Sequence, residues 1–272
     1  MPARVSDFYR TALVTGASTG LGRAFAEMLL AEGVRVWGTS RDPARLAPIT
    51  GLEPLALDLR DGPAALEIFH RAERAAGDFD VVINNAGFGV FAEFAGADFS
   101  VWEEQLAVML LNPARLAHAA LPGMLARNRG ALVNISSLAA EFPLPFQSAY
   151  NIAKAGLSAF SESLITETAG TGVVVLDVRP GDYRTAIDTS VRHPQRPPTP
   201  RMRRAWAAFE KMMTQGHAPA HAAASLRRAL LRRRSGTVRM GRFSQAVAAP
   251  LLARLGSLPL RRRVQARYFD AG

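Results

Sequence analysis

Short apolar runs alternate along this chain with longer stretches whose apolar residues recur every three to four positions. TALVT at 11–15, VRVWGT at 34–39, the run through LAL that leads to Asp58, FDVVIN at 79–84, ALVNIS at 131–136 and VVVLDVRP at 173–180 predict strands buried on both faces. TVRMG at 237–241 predicts a seventh. Between them the spacing predicts helices over 21–32, where Leu21, Phe25, Met28 and Leu29 share a face, over 43–47, 63–76 and 148–169, and one long helix over 101–128 interrupted by Pro113. Strands alternating with helices of this length imply right-handed crossovers and an α/β fold, a doubly wound parallel sheet covered on both faces.

The pattern changes beyond residue 185. RHPQRPPTP at 192–200 is too rich in proline for helix or strand. Residues 201–215 predict a helix carrying Trp206, Phe209, Met212 and Met213, and 219–234 a basic helix. From Ser244 onward Leu251, Leu252 and Leu255 precede Arg261, Arg262 and Arg263. The reading is one unit over 1–243, with a lid at 186–216, followed by a basic amphipathic extension at 244–272.

Composition narrows the classes. With 272 residues, 49% of them hydrophobic, the chain can bury a large core. No apolar run reaches the ~20 residues of a membrane span. Met1 to Arg10 carries no apolar signal core and there is no cysteine, so the expectation is a cytoplasmic protein without disulfides or thiol chemistry. The five histidines have no metal-ligand spacing, and no metal is expected. The net charge of +10 divides unevenly: residues 1–178 sum to −6 and residues 179–272 to +16. Such a basic segment is either a solvated face of an arginine-rich chain or a patch for an anionic surface. Its apolar-basic pattern suits an anionic membrane surface, with peripheral attachment, better than nucleic acid.

Candidate chemistry begins at Thr15-Gly16-Ala17-Ser18-Thr19-Gly20-Leu21-Gly22, between the first strand and the first helix. Glycines there permit a tight turn and close approach of backbone to a pyrophosphate, and the helix start offers N–H groups to it. The second strand ends Thr39-Ser40-Arg41-Asp42. Ser40 stands where an acid would bind the ribose of NAD, and Arg41 suits the 2′-phosphate of NADP, so NADP(H) is favoured over NAD(H). Asp58 and Leu59 follow the third strand, and Asn85-Ala86-Gly87 follow the fourth, where open α/β sheets place ligands.

Tyr150 and Lys154 lie four apart on a predicted helix, thirteen residues after Ser137. The chain has 31 arginines and only two lysines, Lys154 and Lys211. A phenol is a poor base at neutral pH unless a neighbouring cation stabilises its anion. A compact ammonium one helical turn away can do that and also hydrogen-bond a ribose.

TGASTGLG, Asp58, NNAG, Ser137, Tyr150-x-x-x-Lys154 and Pro180-Gly181 together resemble the short-chain dehydrogenase/reductase superfamily, in its single-domain branch, over roughly residues 10–185. The resemblance implies a seven-stranded Rossmann sheet and hydride transfer with NAD(P). It implies Tyr150 as acid/base, Lys154 lowering its pKa and binding ribose, Ser137 on the substrate oxygen, and Asn85 along the cofactor. Pro180, Gly181, Tyr183 and Thr185 would line the carboxamide. Phe88, Leu144, Phe146 and Trp206 fall where the family builds its substrate cleft, which points to a lipophilic carbonyl or alcohol, steroid- or retinoid-like or fatty. A homodimer or homotetramer is implied too. One departure is Met109, which stands where the family commonly has an asparagine that holds a proton-relay water. Asn112 takes over, or a backbone carbonyl at 109 suffices, or turnover is impaired and the chain is a nonenzymatic NADP-binding sensor.

Overall fold

The computed structural model describes residues 2–184, 191–194, 197–248, 250–251 and 255–269. Seven parallel strands form one sheet: β1 (Thr11–Val14), β2 (Arg35–Ser40), β3 (Leu52–Ala56), β4 (Val81–Asn84), β6 (Gly130–Ile135), β7 (Val173–Pro180) and β9 (Gly236–Met240), in the order β3-β2-β1-β4-β6-β7-β9. The order reverses between β1 and β4, and open parallel sheets bind ligands at the strand ends beside such a switch.

The strand sequences read as continuous apolar runs because both faces are covered. Ala12 and Val14 of β1 join one core with Val81, Ile83, Val133 and Leu176. Leu13 and Val82, pointing the other way, join a second core with Leu132 and Val175. The first core is closed by α1 (Gly20–Ala31) through Phe25 and Leu29 and by α7 (Pro219–Arg232) through Leu226 and Leu230. The second is closed by α2 (Gly62–Ala76), by α4 (Asn112–Ala126) and by α5 (Ser148–Glu167), with Phe69, Leu116 and Leu164 turned inward. The expected doubly wound Rossmann-type sheet is therefore present.

The long helix predicted over 101–128 is divided. α3 (Phe99–Leu106) passes into a π turn over Ala107–Leu111 before α4 resumes. Pro113 has no N–H to give the carbonyl at 109, so the α-helical ladder cannot run through that point. A two-stranded parallel ribbon, β5 (Gly89–Val90) with β8 (Val191–Arg192), has no counterpart in the sequence reading. α6 (Pro200–Thr214) follows it. The last helix, α8 (Leu258–Tyr268), is not a detached tail. Gln265 Nε2 donates to the Pro143 carbonyl at 3.2 Å and Arg261 donates to the Glu141 carbonyl at 3.2 Å, which holds α8 against the loop between β6 and α5.

Candidate active site

The C-terminal ends of the strands open into a cleft of about 750 Å³. At its centre the chain leaves β1 through Thr15 and turns at Gly16, whose φ of +66° favours glycine. Gly22 allows the first turn of α1 to close on that loop. A Cβ on Gly22 would stand 2.2 Å from the Gly16 carbonyl oxygen and 2.4 Å from Asn85 Nδ2. Asn85 Nδ2 donates to the carbonyls of Thr15 at 2.9 Å and Gly16 at 3.4 Å. Thr15 Oγ1 accepts the backbone N–H groups of Asn85 at 2.8 Å and Ala86 at 3.0 Å, and donates to the Ile83 carbonyl. The side chain of Asn85 thus pins the glycine loop. Thr19 occupies the N-cap of α1 without a side-chain bond to its first turn. Ser18, Thr19, Gly20, Leu21 and Gly22 all face the cleft. Free N–H groups at a helix start, in a cradle that a Cβ would fill, fit the pyrophosphate of a dinucleotide.

One end of the cleft is basic. Arg41, Arg45 and Arg60 line it together with Ser40, Asp58 and Leu59. Asp42 is turned away from it: its carboxylate accepts from the Ala44 N–H at 3.1 Å and caps the short turn Pro43–Leu46. Arg60 Nε donates to both Asp58 oxygens, at 2.8 and 3.0 Å. That guanidinium holds the Asp58 carboxyl below its ordinary range, with Arg41 adding in the same sense.

At the middle of the cleft β6 runs out through Ser136 and Ser137, and strand alternation separates their roles. Ser136 faces the core, its hydroxyl donating to Asp177 with the Val178 carbonyl also within reach at 3.1 Å. Ser137 lines the cleft, accepts the Ala139 N–H at 3.0 Å and hydrogen-bonds the Tyr150 phenol. Lys154, one turn along α5, is buried; its Nζ donates to the Ile135 carbonyl at 2.7 Å and lies 5.8 Å from the Tyr150 ring centre. Burial brings the Lys154 ammonium down to about 8, opposed by the charge of Asp177. Burial pushes the Tyr150 phenol up; the Ser137 bond pulls it down by less, and the Asp182 carboxylate adds to the rise. The expected lowering of the phenol by Lys154 is therefore not what the protein alone achieves. The lysine is itself depressed, and desolvation of the ring outweighs the stabilising contacts.

Behind this pair lies a buried polar network. Asp177 accepts from Ser136, from Ser158 at 2.8 Å and from Arg179 Nε at 2.7 Å, and Arg179 also reaches Glu141. Met109 is buried on the π turn with its thioether against Gly87, where a Cβ would meet Cε at 3.0 Å. Asn112 does not take its place. Its Nδ2 is committed to the Leu59 carbonyl at 2.6 Å, and its Oδ1 accepts from Arg115 at 3.1 Å.

The far end of the cleft is apolar. Phe88 and Leu144 line it as the sequence suggested, joined by Phe142, Phe209, Met212 and Met213. Phe146 and Trp206 do not line it. Phe146 sits at φ +60° with its carbonyl accepting the Ala92 N–H, and its ring packs on Phe91 at 5.4 Å. Trp206 packs on the same Phe91 at 5.2 Å and on His193 at 4.3 Å. Both brace the wall of the cleft through a small cluster with Met202 and Ala205. Pro180, Gly181 and Tyr183 all reach the cleft beyond the end of β7, and Tyr183 is also buried in the first core. Its hydroxyl meets His221 Nδ1 at 2.9 Å, and burial pushes the phenol up to about 12. Thr185 lies outside the described residues.

Several lining residues went unread in the sequence. Arg45 and Arg60 carried no motif. Asp182, raised by burial and held by Gln245, and Val264, Gln265 and Phe269 of the C-terminal segment reach the cleft only through the fold. Among the described residues no three acidic or histidine side chains gather as a metal site.

The family model for the short chain dehydrogenases matches residues 10–196. A short chain dehydrogenase of Pseudocercospora fijiensis is 34% identical over 68% of this chain, which spans 65% of that protein's length. A Haemophilus influenzae protein named "Probable NADP-dependent dehydrogenase" is 35% identical over 63% of this chain and 70% of its own. Among solved structures, a short-chain dehydrogenase from Streptomyces avermitilis superposes with a TM-score of 0.80, at 30% identity and 96% coverage of both chains. With the sheet, the glycine cradle and the Ser-Tyr-Lys cluster in place, the chain belongs to the short-chain dehydrogenase/reductase family of NAD(P)-dependent oxidoreductases.

Proposed function

We propose that the protein transfers hydride between NADP(H) and a lipophilic carbonyl/alcohol pair. The observation that carries this is one cleft with Arg41, Arg45 and Arg60 at one end, Ser137, Tyr150 and Lys154 at its middle and aromatic and methionine side chains at the other. Arg41 and Arg45 suit a 2′-phosphate, Arg60 is paired with Asp58, Ser40 puts no carboxylate at the end of β2, and the Haemophilus relative named for NADP agrees.

The nicotinamide, when bound, supplies or accepts the hydride. The chain's own residues manage the oxygen. In the reducing direction Tyr150 gives its phenolic proton to the substrate oxygen as the carbonyl carbon is reduced, and Ser137 donates a hydrogen bond to the same oxygen. The phenol carries its proton before transfer, and the rise that burial imposes on it opposes giving that proton up. Lys154 stands beside the resulting phenolate and stabilises it. Asp58 and Leu59 hold the adenine end, and Gly16 to Gly22 the phosphates. Ala86 and Gly87 let the cofactor pass close to the backbone. Phe88, Leu144, Phe209 and Met212 exclude water from the substrate. The ribbon β5–β8 and α6 serve as its cover, and the active assembly is a homo-oligomer.

The test is oxidation of NADPH and NADH across a panel of lipophilic ketones and aldehydes. Turnover favouring NADPH is expected. Arg41→Ala should raise KM for NADPH about tenfold, the loss of one charge-assisted contact, and leave KM for NADH unchanged. Equal loss for both removes the phosphate-reading role. Tight NADPH binding with no turnover on any carbonyl replaces the enzyme reading with a sensor.

A further inference from the structure

Twelve large apolar side chains are strongly exposed among the described residues, and seven of them fall between 243 and 264. Phe243 is 76% exposed and Leu255 79%, with Leu251, Leu258 and Leu260 around half. The same stretch is cationic. Residues 242–269 hold six arginines, and no aspartate or glutamate occurs anywhere from 211 to 269. Arg242, Arg262, Arg263 and Arg267 are exposed. Arg242 stands near the Asp182 carboxylate, but the stretch itself supplies no acid to Arg262, Arg263 and Arg267, and apolar residues interleaved with such arginines match an interface of headgroups over acyl chains.

Two other occupants fit less well. A second copy meeting this arm about a twofold axis would set arginine against arginine. Nucleic acid would satisfy the arginines but leave Phe243, Leu255 and Leu258 in water.

The arm is also part of the catalytic cleft. Val264, Gln265 and Phe269 line it from the helix that carries Arg262, Arg263 and Arg267. Val264 is at once a lining residue and 41% exposed, so the cleft reaches the outer face of the arm at that point.

We infer that the described residues between 242 and 264 dock the protein on an anionic membrane surface, with the cleft mouth at Val264 held against the bilayer. A lipophilic substrate then enters from lipid without crossing water. Docking stands apart from the redox reading; delivery of substrate rests on it.

The experiment uses the full chain with NADPH and two sets of vesicles, phosphatidylcholine alone and phosphatidylcholine with phosphatidylserine. Co-sedimentation with the anionic vesicles only, weakened by salt, is expected. Arg262→Glu/Arg263→Glu should lower the partition by about fivefold or more per arginine changed, the effect of one basic side chain at such a surface. Phe243→Ser/Leu255→Ser should lower it as well. Thermal melts should show both variants folded, and both should oxidise NADPH with a small water-soluble ketone at the wild-type rate. Dissolving a long-chain ketone in the anionic vesicles should separate wild type from the variants by their rates. Failure of the wild type to bind anionic vesicles, or binding undiminished in both double variants, overturns the inference. So does concentration-dependent self-association through the arm in place of vesicle binding. Binding to anionic vesicles without turnover on any ketone leaves docking intact and removes the redox reading instead.

Discussion

Lys154 shows how one side chain's environment determines what it can do. It is buried, its ammonium bonds one backbone carbonyl, and the acid opposing its desolvation is the enclosed Asp177. An arginine there would stay charged at any pH, and its planar fork needs more than one carbonyl. That explains a lysine here in a chain whose only other lysine is Lys211. It also fixes a pH dependence. The folded pKa is about 8, against roughly 10.4 in an unfolded chain. Between those values the unfolded state holds more proton, so this group makes the fold more stable as pH rises from 8 to 10.4 and less stable as pH falls through 8. Lys154→Met has no such group. In urea titrations the wild type should gain up to about 3 kcal/mol on the variant between pH 7.5 and 10; parallel curves would place the pKa in the ordinary lysine range. Tyr150→Phe is a cleaner change, since the ring stays and only the hydroxyl goes. It should abolish turnover and leave NADPH affinity, measured by fluorescence titration, nearly unchanged. A comparable loss of both would assign the phenol to binding.

At the scale of elements, the π turn between α3 and α4 shows what a proline does inside a helix at an active site. Pro113 withholds the donor that the Met109 carbonyl would otherwise meet, one turn away and beside the cleft. The relay water that the family gives to an asparagine is expected on the carbonyl at 109, since Asn112, bound to Leu59, cannot hold it. Met109→Asn should therefore leave kcat within about twofold, while the smaller, polar side chain against Gly87 costs about 1–3 kcal/mol of stability. A tenfold rise in kcat in a stopped-flow assay would show that the thioether is a deficit. Much of this element structure was legible beforehand. The strands follow from apolar runs, and the glycine turn follows from Gly16 and Gly22, whose spacing is required by backbone contact. Local pattern could not show that Phe146 turns its ring onto Phe91, because that depends on a left-handed backbone at 146. Nor could it show that Arg60 closes on Asp58 two residues before it, because that depends on the local turn, or that α8 lies on the cleft, because those contacts join side chains and carbonyls from segments with no shared periodicity.

Across the whole molecule, apart from Phe94 and Phe99, which pack on Trp102, two of the outer surfaces left apolar among the described residues bear on assembly. One is the C-terminal arm. The other joins the helices on the far side of the second core. Leu110 packs inward against Gly156, where a Cβ would meet its Cδ2 at 2.9 Å, so the π turn and α5 lie side by side. Their neighbours Leu111 and Ile152 then point outward, 55% and 52% exposed. A monomer gains nothing from two large aliphatic side chains in water on adjoining helices, whereas a second copy meeting them about a twofold axis buries both sets. Four such side chains contribute roughly 1.5–3 kcal/mol each when fully covered, a substantial share of a micromolar dimer's free energy of about 8 kcal/mol. Light scattering should therefore give a mass above that of one chain for the wild type and close to one chain for Leu111→Glu/Ile152→Glu, since a buried unpaired carboxylate opposes contact. The substituted positions lie outside the cleft, so NADPH binding should persist in the monomer. A wild type that remains monomeric at micromolar concentration, or a double variant with unchanged mass, would move the assembly surface elsewhere. If the C-terminal arm then proved to be the surface, vesicle binding and self-association would compete, and adding anionic vesicles would dissociate the oligomer.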